Sequence, residues 1–294
     1  MSLSASPPEP DADIATLLVS CADRHGLVAA LAQVLTGHGA NILEADQYRS
    51  EPAAQFFQRI RFDLSELLTD RGTLERALAE VARRFGMDLR LYYDNQRPKM
   101  AIFVSQYDHC LFDLLWRYRS GELRCTIPLI VSNRSDLAPA VEPMGIPFVV
   151  FPIGRDDKLE QEAREIELLE SHQVDLIVLA RYMQVLSPSF IERYRHRVIN
   201  IHHSFLPAFA GGRPYHQAAE RGVKLIGATA HYATESLDEG PIIEQDVIRT
   251  THKDSVRDLI RKGRDVERNV LGRAVRWHIE HRVLVHQNCT VVFE

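Results

Sequence analysis

The stretch Val174–Ala180 (VDLIVLA) constrains the fold more than any other part of the chain. It is almost wholly apolar, so a strand built from it has no face fit for water. Such a strand belongs at the centre of a sheet covered on both sides, which is typical of parallel sheets. It is also far too short to cross a bilayer. Around it, strand-like segments at Lys99–Ser105, Ile127–Ser132 and Pro147–Phe151 alternate with helical ones at Cys110–Tyr118, Asp136–Glu142 and Asp157–Ser171. That rhythm implies right-handed crossovers and a parallel sheet. Ligands of such sheets bind outside the carboxyl ends of the strands. The segments after Ser105, Ala180 and Ile201 are therefore where chemistry is expected.

The first third of the chain has a different rhythm. Ile14–Ser20 is a short apolar run, and Leu27, Ala30, Leu31, Val34 and Leu35 follow at helical spacing until Gly37 and Gly39. Asn41–Tyr48 and Phe56–Leu64 read as strands, the second with Ile60, Phe62 and Leu64 alternating with polar residues. A helix marked by Leu74, Leu78, Val81 and Phe85 and a strand at Met87–Tyr93 complete a βαββαβ order. This is a ferredoxin-like unit. Asp94–Pro98 (DNQRP) is a natural boundary, so we expect a tail over 1–13, one domain over 14–94 and a second, Rossmann-like α/β domain over 99–294. Met1–Asp13, rich in Pro, Ser and acid, has neither a basic nor an apolar signal-peptide segment and reads as disordered.

Composition removes several function classes. The 294 residues carry Lys+Arg 35 against Asp+Glu 40, a net charge of -5, which argues against a protein that wraps nucleic acid non-specifically while leaving room for a local basic pocket. The four cysteines are widely spaced with no CxxC pair, so neither a disulfide framework nor a Cys-rich zinc site is expected, and a cytoplasmic location fits. No GxGxxG or P-loop motif is present.

Two constellations remain. Val198–Ser204 (VINIHHS) is a short strand in which Asn200 and His202 point to the same face. An amide donor and an imidazole at a strand end can hold a carbonyl oxygen as it becomes an oxyanion. On residue types alone, polar side chains that merely satisfy strand-end backbone are the commoner case. The second constellation is Gly227–Gln245 (GATAHYATESLDEGPIIEQ), where His231 precedes a loop carrying Glu235, Asp238 and Glu239. A carboxylate reaching His202 would orient its ring and could take a proton from water. A solvated acidic loop is the alternative, preferred for Glu235 and Glu239. His202, His203, His216 and His231 with Asp238 have no tight metal-ligand spacing, so no metal is expected. Ser204 sits in no GxSxG elbow.

The motifs NIHHSFLPAF (200–209), RPYHQA (213–218), ARYMQVLS (180–187) and GATAHYATESLDEGPIIEQ together resemble the formyltetrahydrofolate deformylase family. CADRHGLVAALAQVLTGHGANI resembles the ACT domain of that family. The resemblance implies hydrolysis of 10-formyltetrahydrofolate to formate and tetrahydrofolate, supplying formate for purine biosynthesis and balancing one-carbon folate pools. It implies catalytic roles for Asn200, His202 and Asp238, and a pterin pocket formed by Met183, Gln184, Val185 and Leu186. The loop Ala233, Thr234, Glu235, Ser236 and Leu237 would close over it, with His203, His216 and His231 as pocket-wall candidates. No cofactor is implied, since the folate is substrate and product.

By the same resemblance, Asp23, His25, Gly26 and Asn41 would lie where ACT domains bind amino-acid effectors, although His25 stands where proline is frequent. Packing of this domain into a homo-oligomer, dimer or tetramer, is the structural alternative. Two relatives offer a transferase reading. Glycinamide ribonucleotide transformylase carries a glycine-rich phosphate loop after its first strand. Here that place reads Ser105-Gln-Tyr-Asp-His-Cys, with no glycine, and His203 stands where the transformylase typically has proline. Methionyl-tRNA formyltransferase has the opposite domain order. Water is thus the expected acceptor, with formyl transfer to an amine as the alternative. The stretch Asp254–His281 reads as a surface helix interrupted near Gly263, followed by a short strand Val283–Val285 with no assigned role.

Overall fold

The computed structural model describes residues 13–152, 158–207 and 214–294. Of the expected tail over 1–13 all but Asp13 lies outside this range, as do Asp157 of the expected helix Asp157–Ser171 and the motif residues 208–213. Contacts divide the chain into two units: 1–97 with 281–284 and 291–294, and 98–280 with 285–290.

In the first unit the order is β1 (Ile14–Ala22), α1 (Leu27–Gly37), β2 (Asn41–Ser50), β3 (Gln55–Asp63), α2 (Arg71–Phe85) and β4 (Asp88–Tyr93). The strands form one sheet in the order β2-β3-β1-β4, antiparallel throughout. Leu31, Leu35, Leu74 and Leu78 of the two helices bury against Leu17, Val19, Ile60 and Phe62 on one face. The opposite face is covered as well. Leu18 and Phe57 pack with Leu284 and Phe293 from the end of the chain. The expected single domain over 99–294 therefore does not describe the last residues, which complete the first unit's core.

The second unit runs β5 (Met100–Val104), α3 (His109–Arg119), β6 (Ile130–Ser132), α4 (Ala138–Val141), β7 (Phe148–Val150), α5 (Lys158–Ser171) and β8 (Leu176–Ala180). It continues with α6 (Pro188–Arg193), β9 (Val198–His202), α7 (Pro214–Glu220), β10 (Leu225–Tyr232), β11 (Ile242–Arg249) and α8 (Val256–Ile279). Among the described residues the sheet has seven strands in the order β11-β10-β9-β8-β5-β6-β7. The five from β9 to β7 are parallel, while β10 and β11 are antiparallel. All five residues of β8 are buried, as its apolar sequence requires. The order of strand addition reverses between β5 and β8, with β6 and β7 on one side and β8 and β9 on the other, and the crevice at such a switch point is the expected ligand site. A hairpin of β12 (Val283–His286) and β13 (Cys289–Val292) ends the chain.

One helix corrects the sequence reading. α8 runs through Gly263 without interruption. A Cβ at Gly263 would lie 2.0 Å from the Tyr215 hydroxyl, so this glycine admits a neighbouring side chain instead of breaking the helix. Its start is fixed by a capping box between Ser255 and Asp258.

Candidate active site

A cavity of about 550 Å³ opens at the carboxyl ends of β5, β8 and β9. β9 delivers Asn200 and His202 to one face, and β10 pairs beside it with His231 directly opposite Asn200. The Asn200 amide donates to His231 Nε2 across 3.2 Å. His231 Nδ1 donates to the Tyr232 carbonyl at 3.0 Å, which fixes the ring. One of the two amide N–H groups of Asn200 is thereby left for another acceptor.

Asp238 reaches this strand end by a tight turn. Its φ of 59° lies in the left-handed region, and Gly240 follows where a Cβ would be 1.8 Å from the Tyr232 carbonyl oxygen. The loop can fold back onto β10 only because Gly240 lacks that atom. Asp238 Oδ1 then lies 3.1 Å from His202 Nδ1 and 3.6 Å from His231 Nε2. The hydrogen bond from His202, with His231 close by, outweighs partial burial and holds its carboxyl well below the usual range. An ionised Asp238 fixes which nitrogen of His202 faces it. His202 Nε2, on the other side of the ring, is buried without a hydrogen-bond partner.

The loops around this group are tied by buried polar side chains. Thr229 Oγ1 donates to the Ser204 carbonyl and accepts from Leu206 N at 3.1 Å and Gln245 Nε2 at 2.9 Å, shaping the turn after β9. Ser105 Oγ, after β5, accepts from Met183 N at 3.0 Å and so anchors the segment after β8. Met183, Gln184, Val185 and Leu186 line the cavity, as do Ala233, Thr234, Glu235 and Leu237. Leu186 and Ala233 pack on a buried cluster that includes Leu179, Tyr182 and Ile191, which makes this end apolar. Ser236 is not among the lining residues; its carbonyl accepts from the Thr234 hydroxyl. His203, His216 and His231 all line the cavity. Burial, helped by the charge of Arg181, lowers His203 to about 4, so its ring is neutral at pH 7.

The other end is polar, and the sequence reading did not single it out. Glu267 on α8 is 1% exposed, accepting from the Tyr215 hydroxyl at 2.6 Å and from His109 Nε2 at 2.8 Å. Tyr215 reaches it across Gly263, one helical turn earlier. His109, Cys110 and Glu267 could in principle ligate a cation, since their donor atoms lie within 4.8 Å of one another. However, burial pushes the Cys110 thiol well up, and the Arg181 guanidinium stands 3.5 Å from Glu267. A thiol kept protonated beside a fixed positive charge does not suit a metal.

In the first unit, Asp23, His25 and Gly26 border a second cavity of about 510 Å³ together with Gln47, Arg49 and Phe56. Asn41, the fourth expected effector residue, does not line it; it lies opposite Asp63 on β3. Asp23 is ion-paired with Arg49.

A formyl transferase family model matches residues 98–275, and an ACT domain model matches 15–86. A formyltetrahydrofolate deformylase of Synechocystis is 52% identical over 95% of this chain and 98% of its own length. The chain belongs to the formyltetrahydrofolate deformylase family. A deformylase of Bacillus subtilis is 49% identical over 96% of the chain and 94% of that protein. The crystal structure of a deformylase from Pseudomonas syringae superposes with a TM-score of 0.94 at 46% identity, covering 96% of this chain and 95% of the other. Glycinamide ribonucleotide transformylase 1 of Symbiobacterium toebii aligns less well. Its TM-score is 0.65 at 28% identity, covering 70% of this chain and 98% of that one. Both ends of the deformylase-family architecture, ACT domain and formyltransferase domain, are thus present.

Proposed function

We propose that this chain hydrolyses 10-formyltetrahydrofolate to formate and tetrahydrofolate, and that Asn200, His202 and Asp238 carry the reaction. The observation that carries the assignment of roles is the convergence of Asp238 on His202 at 3.1 Å beside the Asn200 amide. The formyl carbonyl must be polarised, and the aryl nitrogen must receive a proton before it leaves. The second N–H of Asn200 and the Nε2 side of His202 stabilise the developing oxyanion, a contribution usually among the largest in acyl chemistry. His202 passes a proton to the leaving nitrogen. Asp238 positions the attacking water and accepts its proton as charge develops. The pterin occupies the apolar end near Met183, Val185 and Leu186, under the loop from Ala233 to Leu237.

Formyl transfer to an amine such as glycinamide ribonucleotide finds less support. The turn after β5 has no glycine to expose backbone N–H groups to a phosphate, and it carries Asp108. Incubating purified protein with 10-formyltetrahydrofolate, with and without glycinamide ribonucleotide, separates the two. Formate released without the amine is expected; formylated ribonucleotide in its place would refute the hydrolytic reading.

An amino-acid effector at the Asp23, His25 and Gly26 cavity is a further proposal, checked by formate release with and without glycine or methionine. We also propose a homo-oligomer, supported by the exposed edge strand β2 of the first unit's sheet; light scattering showing a monomer would end it. Among the described residues no helix is long and apolar enough to cross a membrane. The four cysteines are unpaired, three of them buried, which supports a reducing, cytoplasmic setting.

A further inference from the structure

The polar end of the cavity has no task in the chemistry above, yet it is built with care. Arg181 is the residue immediately after β8, and its φ is 62°. A non-glycine residue held in the left-handed region is strained, and such strain gathers at functional sites. Arg181 is 8% exposed and lines the cavity. Its guanidinium carbon lies 5.0 Å from the centre of the Tyr107 ring, and Arg264 of α8 reaches the same ring at 5.8 Å. Two guanidiniums thus share one aromatic platform.

Their hydrogen bonding is incomplete. Glu267 is already engaged by Tyr215 on one oxygen and His109 on the other. Arg181 Nε stands 3.5 Å from that second oxygen and is buried without a hydrogen bond. Among the described residues, neither the Arg181 nor the Arg264 guanidinium donates a hydrogen bond. A guanidinium cannot shed its charge, and its N–H donors form a planar fork. Leaving the buried Arg181 Nε without a full hydrogen bond is costly, while the other donors of the two forks open onto the cavity. The group that best satisfies the fork is an anion with two coplanar oxygens, a carboxylate.

We propose that the Arg181, Arg264 and Tyr107 end of the cavity is a binding subsite for a small carboxylate, and that this carboxylate is formate. The assignment of formate rests on the deformylation reading. His203 supplies the connection: its ring lies 5.2 Å from that of His202 and 6.2 Å from that of Tyr215. Formate formed at His202 therefore passes one imidazole, uncharged at neutral pH, to reach the guanidiniums. Glu267 cancels one positive charge, and its saturation by Tyr215 and His109 keeps it from taking both arms of the Arg181 fork. The glutamate end of a folate offers the same carboxylate chemistry, so the experiment separates the two sources.

Purified wild-type protein is titrated with formate in chloride-free buffer, and binding is read from saturation transfer to the formate proton. The titration is repeated with Arg181→Gln, Arg181→Lys and Arg264→Gln, and with p-aminobenzoylglutamate as competitor. Expected is saturable formate binding weakened at least ~10-fold in Arg181→Gln and by less in Arg181→Lys, which keeps the charge and loses the fork. Arg264→Gln, on an exposed side chain, loses less than Arg181→Gln. A wild-type circular-dichroism spectrum shows that each variant is folded, and a loss of tetrahydrofolate affinity that parallels the loss of formate affinity in Arg181→Gln assigns the subsite to the folate tail and overturns the formate assignment. If Arg181→Gln does not fold, unchanged formate affinity in Arg181→Lys overturns the proposal. Absence of saturable binding, or equal affinity in wild type and Arg181→Gln, overturns it directly. Displacement of formate by p-aminobenzoylglutamate reassigns the subsite to the folate tail and overturns the formate assignment. If formate binds through Arg181 but no formate is released from 10-formyltetrahydrofolate, the deformylation reading fails and the carboxylate subsite stands.

Discussion

Asp238 and His203 sit in the same cavity and are shifted by different forces. Asp238 is ionised because His202 donates to it and His231 lies beside it, whereas His203 is neutral because burial and Arg181 oppose its charge. Asp238→Asn keeps the shape and removes the charge; it is expected to abolish formate release while tetrahydrofolate still binds by calorimetry. Asn200→Ala removes one oxyanion donor and is expected to lower kcat by ~10²–10³. Stability should follow pH through the buried groups. His203 and His281 are both lowered to about 4 from 6.5, so between these values the unfolded chain takes up protons the folded chain refuses. Acidification through that window therefore destabilises the fold. Buried Glu165, raised to about 7 from 4.5 chiefly by burial, acts in the opposite sense between those limits. The melting temperature is expected to fall less steeply with acid in His203→Gln and more steeply in Glu165→Gln. Asn200, His202 and Asp238 were legible because strand alternation and a loop acid suffice to suggest them. The direct contacts of His231 were not, because they depend on the pairing of β10 with β9. Arg181 escaped notice because a backbone turn, and not its type, sends it into the cavity.

Among the elements, α8 and the turn after β10 show why glycines are ambiguous in a sequence. Gly263 looked like an interruption, yet it is the place where Tyr215 crosses the helix to reach Glu267. Gly263→Ala is expected to cost about 1–3 kcal/mol through overpacking, read as a lower melting temperature. Tyr215→Phe in the Gly263→Ala background should recover part of that loss, since the nearest clashing atom is the hydroxyl oxygen. The apolar run of β8 fixed its element without ambiguity, because burial on two faces leaves a direct mark on residue type, whereas the alternation of β3 marked a strand but concealed that Phe57 and Arg59 on its second face are buried too. The short helix α6 has too few residues for a period to register. Neither Asn41 nor Ser236 sits where its motif suggested, since neighbours in sequence can turn away from a shared cavity.

At the scale of the whole molecule, the two-part organisation was visible from the change in rhythm near residue 97, and the division falls there. The return of the chain end to the first unit was not visible. A few apolar residues in a terminal hairpin carry no period that says which sheet they cover. Phe293→Ala is expected to destabilise the first unit by roughly 3–5 kcal/mol, the usual cost of emptying a buried aromatic site. In a thermal scan its transition should move down while that of the second unit holds. This return also sets an order of events during synthesis. Leu18 and Phe57 are made early, but their cover, Leu284 and Phe293, is made only after residues 98–280 of the second unit. At ~5–20 residues per second, the first unit waits about 10–40 s on the ribosome with one face of its sheet bare. The domain that is translated first is thus finished last, and its exposed face during that interval is a natural client surface for a chaperone.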